Sequence, residues 1–156
     1  MSKKIPLTQG KFTIVDDDIF DRFCNLKWQA HFSNGNWYAV REIWIDKSHK
    51  TLRMHSLIMG RSFIDHISGD GLDNRRENLR LATPTQNQQN KAKKKFLSSK
   101  FKGVAWHKDT GKWQSRITLN RKTIYLGIFG NEIDAARAYD KKAKELFGEF
   151  ARPNFS

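Results

Sequence analysis

The chain has 156 residues, 38% of them hydrophobic, a length that suits one domain or two small ones. Its single cysteine excludes a disulfide framework or a cysteine-cluster zinc site within one chain. Lys and Arg number 29 against 16 Asp and Glu, a formal net charge of +13, which indicates a polyanionic partner, because each neutralised phosphate releases condensed counterions. With no apolar run that could span a bilayer, no secretory leader and no Lys-rich amphipathic helix, we expect no membrane partner and a reducing, cytoplasmic location.

The segment from Ile5 to about Met59 is rich in strand-forming residues. Residues 28–32, which alternate between apolar and polar, and the strand-forming residues 37–40 flank Asn34-Gly35. Asn-Gly between two such segments predicts a β-hairpin.

A group of aspartates in this segment has the composition of a metal site: Asp16, Asp17, Asp18 and Asp21. They immediately precede or interrupt the apolar residues Ile19, Phe20 and Phe23. We therefore favour carboxylate capping of a helix N-terminus over a metal cluster.

The next segment, about residues 52–95, reads as strand, loop, strand, helix. The strands are predicted at 63–67 and 79–82, with a polar loop at 68–74 between them. Thr83-Pro84-Thr85-Gln86 combines a capping box with Pro at the first helical position, so a helix is predicted from Pro84 to about Lys95.

This arrangement brings together groups suited to phosphodiester hydrolysis. His66 could activate water, because imidazole titrates near neutral pH. Asp65 and Asn87 offer the oxygen ligands that Mg²⁺ or Mn²⁺ prefers, and Asn78 can form hydrogen bonds across the loop. Taken singly, each residue is weak evidence for a catalytic site, since an Asp-His pair is common and an Asn near a helix start is usually a polar surface residue.

Taken together, the segment resembles the HNH endonucleases, specifically the phage homing enzymes whose last motif position is Asn. The resemblance covers most of residues 5–95 and implies a ββα-metal fold. The matching residues are Leu52-Arg53-Met54-His55, Ile64-Asp65-His66-Ile67, the run from Leu72 to Arg80 (LDNRRENLR), Asn87 and Asn90.

Carried over residue by residue, the resemblance implies that His66 is the general base and that Asp65 and Asn87 bind one divalent cation, Mg²⁺ or Mn²⁺. It implies that Asn78 orients the loop carrying His66, and that the products have a 5′ phosphate and a 3′ hydroxyl. No structural zinc is expected, because the zinc cysteines of many such enzymes are absent. His55 lies beside Leu57 and Ile58, so we interpret it as a partly buried structural histidine and leave it out of the catalytic set.

Residues 91–102 contain six lysines and no acid, which is typical of a linker and is compatible with contacts to a DNA backbone. Beyond it, strands are predicted at 102–106, 112–119 and 123–127. A helix follows, with Ile133, Ala136, Tyr139, Ala143 and Leu146 at helical spacing and Gly148 as its stop.

This last segment resembles the plant Apetala-two (ethylene-response-factor) DNA-binding domain, which lays a three-stranded sheet in the major groove with a helix behind it. The matching residues are Phe101-Lys102-Gly103-Val104, Gly111-Lys112-Trp113, Tyr125-Leu126-Gly127-Ile128-Phe129, Ala135-Ala136-Arg137-Ala138-Tyr139-Asp140 and Asn154-Phe155. Several base-reading positions differ from the plant pattern, so DNA binding carries over but the plant target sequence does not.

Independently of the resemblance, alternation places the polar residues of the second strand on one face of the sheet. It places Ile117 of that strand, and Ile124 and Leu126 of the third strand, on the face that packs against the helix. An ordinary exposed polar sheet would show the same pattern. Arg116 is the best candidate for a base contact, because Arg can pair bidentately with guanine. The predicted DNA-binding residues are Lys91, Lys93, Lys94, Lys95, Lys102, Lys112, Gln114, Arg116, Thr118, Arg121, Thr123 and Tyr125.

The sequence thus predicts an α+β protein with a nuclease domain at 1–95, a basic linker at 96–100 and a DNA-binding domain at 101–156. The expected activity is metal-dependent cleavage or nicking of double-stranded DNA by a monomer in a phage-infected bacterial cell. The alternatives are a nuclease-derived DNA-binding regulator that does not cut and an RNA-binding protein, although the aromatic stacking motifs of RNA-binding modules are missing.

Overall fold

The computed structural model describes residues 1–91 and 98–155. Its internal contacts divide the chain into two compact units, Met1–Pro84 and Thr85–Ser156. Each unit contains helices and small antiparallel sheets, so the predicted mixture of helix and sheet is confirmed. Within the described part of the chain, the helices fall short of the length and apolar character that crossing a membrane requires.

The first unit is built from three small antiparallel sheets and two short helices. The sheets pair β1 with β2, order β3-β4-β5, and pair β6 with β7. The elements in chain order are β1 (Ser2–Pro6), β2 (Phe12–Asp16), α1 (Asp17–Phe23), β3 (Gln29–Ser33), β4 (Asn36–Ile45), β5 (Ser48–Arg53), α2 (Met54–Met59), β6 (Ile64–His66), a 3-10 helix (Arg76–Asn78) and β7 (Leu79–Leu81).

The predicted hairpin is present between β3 and β4. Asn34 and Gly35 occupy its turn with φ values of 52° and 84°, the left-handed conformation that a two-residue hairpin turn requires. The core beneath it draws on both ends of the unit, since Ile5, Val15 and Ile19 pack with Trp28 and Met54 in one buried cluster.

The aspartate cluster is used differently from the capping interpretation. Asp17 and Asp18 lie in the first turn of α1, but Asp16 at its N-cap makes no side-chain cap hydrogen bond. Its carboxylate instead accepts from the backbone N–H of Arg76 at 2.9 Å, and Asp18 accepts from the Arg76 guanidinium at 2.6 and 2.8 Å. The aspartates thus stand at the start of a helix, as the sequence predicted, but Asp16 makes no side-chain cap, and Asp16 and Asp18 accept hydrogen bonds from the distant Arg76.

The second unit contains α3 (Pro84–Gln89, which begins on the last residue of the first unit), β8 (Val104–His107), β9 (Lys112–Leu119), β10 (Lys122–Phe129), α4 (Glu132–Phe147) and a 3-10 helix (Gly148–Phe150). The strands form an antiparallel sheet in the order β10-β9-β8.

Two details differ from the sequence prediction for this unit. Helix α3 ends at Gln89 and not near Lys95, and residues 92–97 lie outside the described part of the chain. Between β9 and β10 the register shifts, because Tyr125 pairs with Arg116 while Gly127 pairs with Ser115. Leu126 is therefore the extra residue of a β-bulge.

Helix α4 packs on the sheet through Tyr139, Ala143 and Phe147, which form a buried cluster with Ile117 of β9. Gly103 allows the helix to approach closely. Its φ is +78°, and a Cβ there would lie 1.9 Å from the Tyr139 ring, so a larger residue could not occupy this position without displacing the helix.

Candidate functional site

Strand β6 supplies the two adjacent residues at the centre of the predicted site. It pairs antiparallel with β7, placing Asp65 opposite Arg80 and His66 opposite Leu79. All three residues of β6 are buried. Because successive side chains of a strand leave opposite faces, Asp65 and His66 find different partners.

Asp65 forms a buried ion pair with its cross-strand neighbour. Arg80 donates Nε and Nη2 to the Asp65 Oδ2 atom at 3.0 and 2.8 Å. The side chains are 5% and 12% exposed, so the pair is shielded from solvent screening and holds the carboxylate in one position.

His66 contacts Asn74, which is fully buried at 0% exposure. The His66 Nε2 and Asn74 Oδ1 atoms are 3.1 Å apart. Asn74 in turn donates its Nδ2 to the Thr13 hydroxyl at 2.8 Å, and Thr13 donates to the Leu72 carbonyl oxygen at 2.6 Å. We call this series the Thr13–Asn74–His66 chain.

The direction of each hydrogen bond in this chain is fixed from one end. A carbonyl oxygen can only accept, so the Thr13 hydroxyl donates to Leu72 and accepts from the amide nitrogen of Asn74. The Asn74 oxygen must then face His66 and accept a proton from Nε2. In the neutral ring the lone pair is consequently on Nδ1, the tautomer that can accept a proton there.

The loop between β6 and β7 is held against β2. The Ile14 N–H donates to the Leu72 oxygen at 2.9 Å, and the Asn74 N–H donates to the Ile14 oxygen at 2.8 Å. Gly71 lets the loop approach β4 closely, since a Cβ there would lie 2.3 Å from the Trp37 carbonyl oxygen. The hydrogen bonds between β2 and this loop therefore fix Asn74, the residue that orients His66.

Asn78 bridges the two ends of the same loop, in the 3-10 helix just before β7. Its Oδ1 accepts from the Ser68 N–H at 2.9 Å, and its Nδ2 donates to the Asp73 carbonyl at 2.8 Å. Its own carbonyl accepts from the Ile67 N–H at 2.9 Å. These hydrogen bonds hold Ile67 and Ser68, which directly follow His66, against Asn78. This geometry suits the orienting role predicted for Asn78.

The electrostatics around His66 favour a neutral ring. Burial lowers the pKa of His66, while the hydrogen bond to Asn74 and the carboxylates of Asp65, Asp70 and Asp73 oppose that shift. The ring is thus uncharged at neutral pH, and nearby negative charge is available to stabilise it once it is protonated.

His55 and Tyr38 form the wall beside His66. The His55 and His66 rings meet edge to face with centroids 5.0 Å apart, and Tyr38 lies 6.0 Å from His66. His55 is 4% exposed, and burial, the neighbouring His66 and Arg53 lower its pKa to about 3. Its Nδ1 atom has no hydrogen-bond partner within the described residues. The residue interpreted as structural is therefore buried as expected but belongs to the site.

Asn87 lies on α3, in the second unit. Its place beside Asp65 as a cation ligand stays a prediction.

The carboxylate of Asp65 is a ligand of the kind that Mg²⁺ or Mn²⁺ prefers, since these cations keep several water ligands and need few from protein. The described residues contain no group of three or more His, Cys, Asp and Glu side chains that could enclose a metal. Asp65, fixed by Arg80, is the ligand that the geometry of the first unit offers.

On the second unit, the polar face of the sheet has the exposure that alternation predicted. Lys112, Arg116 and Thr118 of β9 are exposed, whereas Ser115 and Ile117 between them are buried. The remaining predicted residues of β9, the following turn and β10 are exposed or half-buried: Gln114, Arg121, Thr123 and Tyr125. Tyr125 is 54% exposed and pairs with Arg116, so an aromatic ring and a guanidinium lie side by side on this face.

Lys102 is an exception among the predicted phosphate contacts. Its Nζ donates to the Gln89 and Lys91 carbonyl oxygens at 2.6 and 2.8 Å, and burial lowers its pKa to about 8. The ammonium group is thus engaged in capping the end of α3. Lys91 is exposed, and Lys93, Lys94 and Lys95 lie outside the described residues.

Sequence reasoning missed Thr13 and Asn74 as site residues. Asn74 lies inside the segment that carries the HNH resemblance, which was the available signal. Thr13 is 61 positions from Asn74 and precedes that segment, so pairing of β2 with the loop was needed to find it.

Two family models match separate parts of the chain. A model described as HNH endonuclease matches residues 61–89, and one described as AP2 domain matches residues 99–149. The first match contains all four predicted catalytic residues, and the second contains the whole sheet of the second unit and all of α4.

Several known proteins are similar to the chain. An uncharacterised HNH endonuclease of Acanthamoeba polyphaga mimivirus is 33% identical over 147 residues, which cover 94% of this chain and 76% of the relative. Protein 3.8 of Escherichia phage T7 is 32% identical over 58% of this chain and 74% of its own length. APETALA2-like protein 2 of Oryza sativa subsp. indica is 50% identical over 60 residues, 37% of this chain but 14% of that protein.

Proposed function

Because this chain belongs to the HNH endonuclease family and carries an AP2-like domain, we propose that it is a homing-type, metal-dependent endonuclease that hydrolyses phosphodiester bonds of double-stranded DNA. The Thr13–Asn74–His66 chain carries this proposal, because it holds an imidazole as the tautomer that a general base requires. We propose further that the protein acts as a monomer, nicking one strand at its one site, in the cytoplasm of a phage-infected bacterial cell.

In the proposed reaction, His66 accepts a proton at Nδ1 from the water that attacks the phosphorus. Its Nε2–H stays donated to Asn74, so the ring cannot rotate away as it becomes positively charged. Asp70 and Asp73, which raise the pKa of His66, stabilise that charge. The bond between phosphorus and the 3′ oxygen breaks with its electron pair on that oxygen, which takes a proton from solvent water, so the products carry a 5′ phosphate and a 3′ hydroxyl.

Asp65 and Asn87 would hold the divalent cation, Mg²⁺ or Mn²⁺, which when bound supplies electrostatic stabilisation of the charge on the phosphate and on the leaving oxygen. Arg80 fixes the Asp65 carboxylate before the cation arrives. Asn78 keeps the residues after His66 in place, and the polar sheet face of the second unit increases affinity for DNA.

Incubation of the purified protein with supercoiled plasmid tests this proposal. With Mg²⁺ or Mn²⁺ we expect relaxed or linear plasmid whose ends carry 5′ phosphate, and with EDTA we expect no cleavage. Plasmid that stays supercoiled with either cation, although the protein binds it, would identify a DNA-binding regulator instead of a nuclease.

A further inference from the structure

The outer halves of β4 and β5 form a two-stranded ribbon that nothing in the first unit covers. Paired residues run from Val40 and Arg53 to Ile45 and Ser48, and a two-residue turn, Asp46-Lys47, closes the ribbon with positive φ at both positions. From Glu42 to Thr51 all residues but Ile43 are exposed. We call residues 41–53 the β4–β5 ribbon.

The ribbon is rooted in the wall of the His66 site. Next to its base, Ala39 and Met54 are almost completely buried in the core of the unit. Tyr38 precedes it on β4 and contacts the His66 ring at 6.0 Å, and the Arg53 guanidinium lies 6.0 Å from the Tyr38 ring. One face of the ribbon therefore continues directly from the candidate base.

That face carries groups suited to a nucleic acid. Alternation puts Tyr38, Trp44 and Arg53 on the same side as His49 and Thr51. Trp44 is 74% exposed, and its ring meets the His49 ring at 66° with the centroids 5.4 Å apart. A large aromatic ring held open at the end of a rigid arm can stack on or wedge between bases.

The charge of the ribbon matches the same partner. It holds four cations, Arg41, Lys47, Lys50 and Arg53, against the two acids Glu42 and Asp46. Glu42 lies on the Trp44 face and is engaged by His49 at 3.2 Å, whereas Lys47 in the turn and Lys50 on the opposite face are exposed. A two-stranded ribbon also has the width that the DNA major groove admits.

We propose that the β4–β5 ribbon is a DNA-contacting arm that binds the duplex to one side of the cleaved phosphate. From Tyr38 to Trp44 the strand rises ~20 Å, which corresponds to about six nucleotides along a DNA strand. Trp44 contacts the bases, and Lys47 and Lys50 contact the backbone. The proposal rests on the proposed function for the position of the cleaved phosphate, but not for binding itself.

The test measures binding of the full-length protein to a fluorescein-labelled 40-base-pair duplex by anisotropy in EDTA, where cleavage is not involved. Lys47→Ala/Lys50→Ala is compared with Lys4→Ala/Lys27→Ala, which removes the same charge from the same unit away from the ribbon. We expect the ribbon variant to reduce the slope of log K against log salt by about 2 and the control by well under 1.

Trp44→Ala is expected to weaken binding about 3- to 10-fold with an unchanged salt slope, because it removes an uncharged contact. Equal slopes for the two double variants, or unchanged affinity with Trp44→Ala, would overturn the proposal. So would sedimentation of the free protein as a dimer that Trp44→Ala dissociates, since the ribbon would then be an interface between two copies. Loss of plasmid cleavage with Mg²⁺, by contrast, bears on the proposed function and leaves these binding results intact.

Discussion

The hydroxyl group of Thr13 determines which nitrogen of His66 carries the proton, although it does not contact His66. Its donation to the Leu72 carbonyl fixes the orientation of the Asn74 amide, and the amide oxygen fixes the tautomer. All three side chains are buried, so water cannot take over any of these hydrogen bonds cheaply.

Thr13→Val should therefore slow single-turnover cleavage by about 10-fold or more while DNA affinity in EDTA stays unchanged, because the isosteric side chain lets the Asn74 amide flip. Thr13→Ser keeps the hydroxyl and should retain most of the rate. Long-range ¹H–¹⁵N NMR of the metal-free protein reports the tautomer directly, and Nε2 should carry the proton in wild type. Equal rates for the Val and Ser variants would show that the Thr13–Asn74–His66 chain does not position the base.

His55 makes the stability of the first unit depend on pH. Its pKa is about 3 in the folded protein and near its ordinary value of 6.5 in the unfolded chain. Above pH 6.5 both states are neutral, so its contribution to stability is fully present there. As the pH falls from 6.5 towards 3, the unfolded chain gains a proton that the folded one does not, and that contribution is lost.

His55→Phe, which keeps a ring but does not titrate, should lose less stability than wild type between pH 7 and pH 5. The expected difference is about 2 kcal/mol, at about 1.4 kcal/mol per pH unit below 6.5. Urea unfolding followed by tryptophan fluorescence at the two pH values measures it. Parallel losses in the two proteins would mean that His55 is not buried as a neutral ring.

At the level of elements, alternation predicted the second unit well. The buried and exposed residues of β9 follow the period of two, and α4 places Tyr139 and Ala143 on the sheet. The sequence did not reveal the bulge at Leu126, because a single extra residue leaves the apolar pattern of β10 almost unchanged. Nor did it reveal the early end of α3. There the Lys102 ammonium group donates hydrogen bonds to backbone carbonyl oxygens that would accept intrahelical hydrogen bonds in a longer helix.

The exposed face of β9 should contribute to sequence recognition. Arg116→Ala is expected to lower DNA affinity about 10-fold and to relax sequence preference, because a bidentate contact to guanine discriminates by about 1–3 kcal/mol. Arg137→Ala removes a guanidinium that is likewise exposed from α4, behind the sheet, and should change neither quantity appreciably. Competition binding against randomised duplexes measures the affinity and sequence preference of both variants. Equal effects of the two substitutions would show that the sheet face does not recognise the DNA sequence.

For the whole molecule, the sequence motifs pointed to the predicted site residues but not to the residues that pack around them. Asp65, His66 and Asn78 were identified because their order and spacing carry the family resemblance, and the structure places all three on β6 and the segment before β7. Thr13 and Tyr38 were not assigned to the site, since they reach it through strand pairing and packing that no local pattern encodes. His55 stands in the segment that carries the resemblance but was interpreted as structural.

Residues 1–96 and the rest of the chain should divide cleavage and DNA affinity between them. Residues 1–96 alone should still cut DNA weakly, but with lower affinity and a shallower salt dependence, because the cations beyond residue 96 are missing. Nitrocellulose filter binding at several salt concentrations compares this fragment with the full chain. Identical affinity and salt slope would show that the chain beyond residue 96 does not bind DNA.

The most direct test of the catalytic assignment compares wild type with His66→Ala, measuring plasmid cleavage with Mg²⁺ and DNA affinity in EDTA on the same preparations. We expect the variant to lose cleavage while its affinity stays within about 2-fold of wild type, because a general base acts in the chemical step. Cleavage by His66→Ala at the wild-type rate would contradict the account.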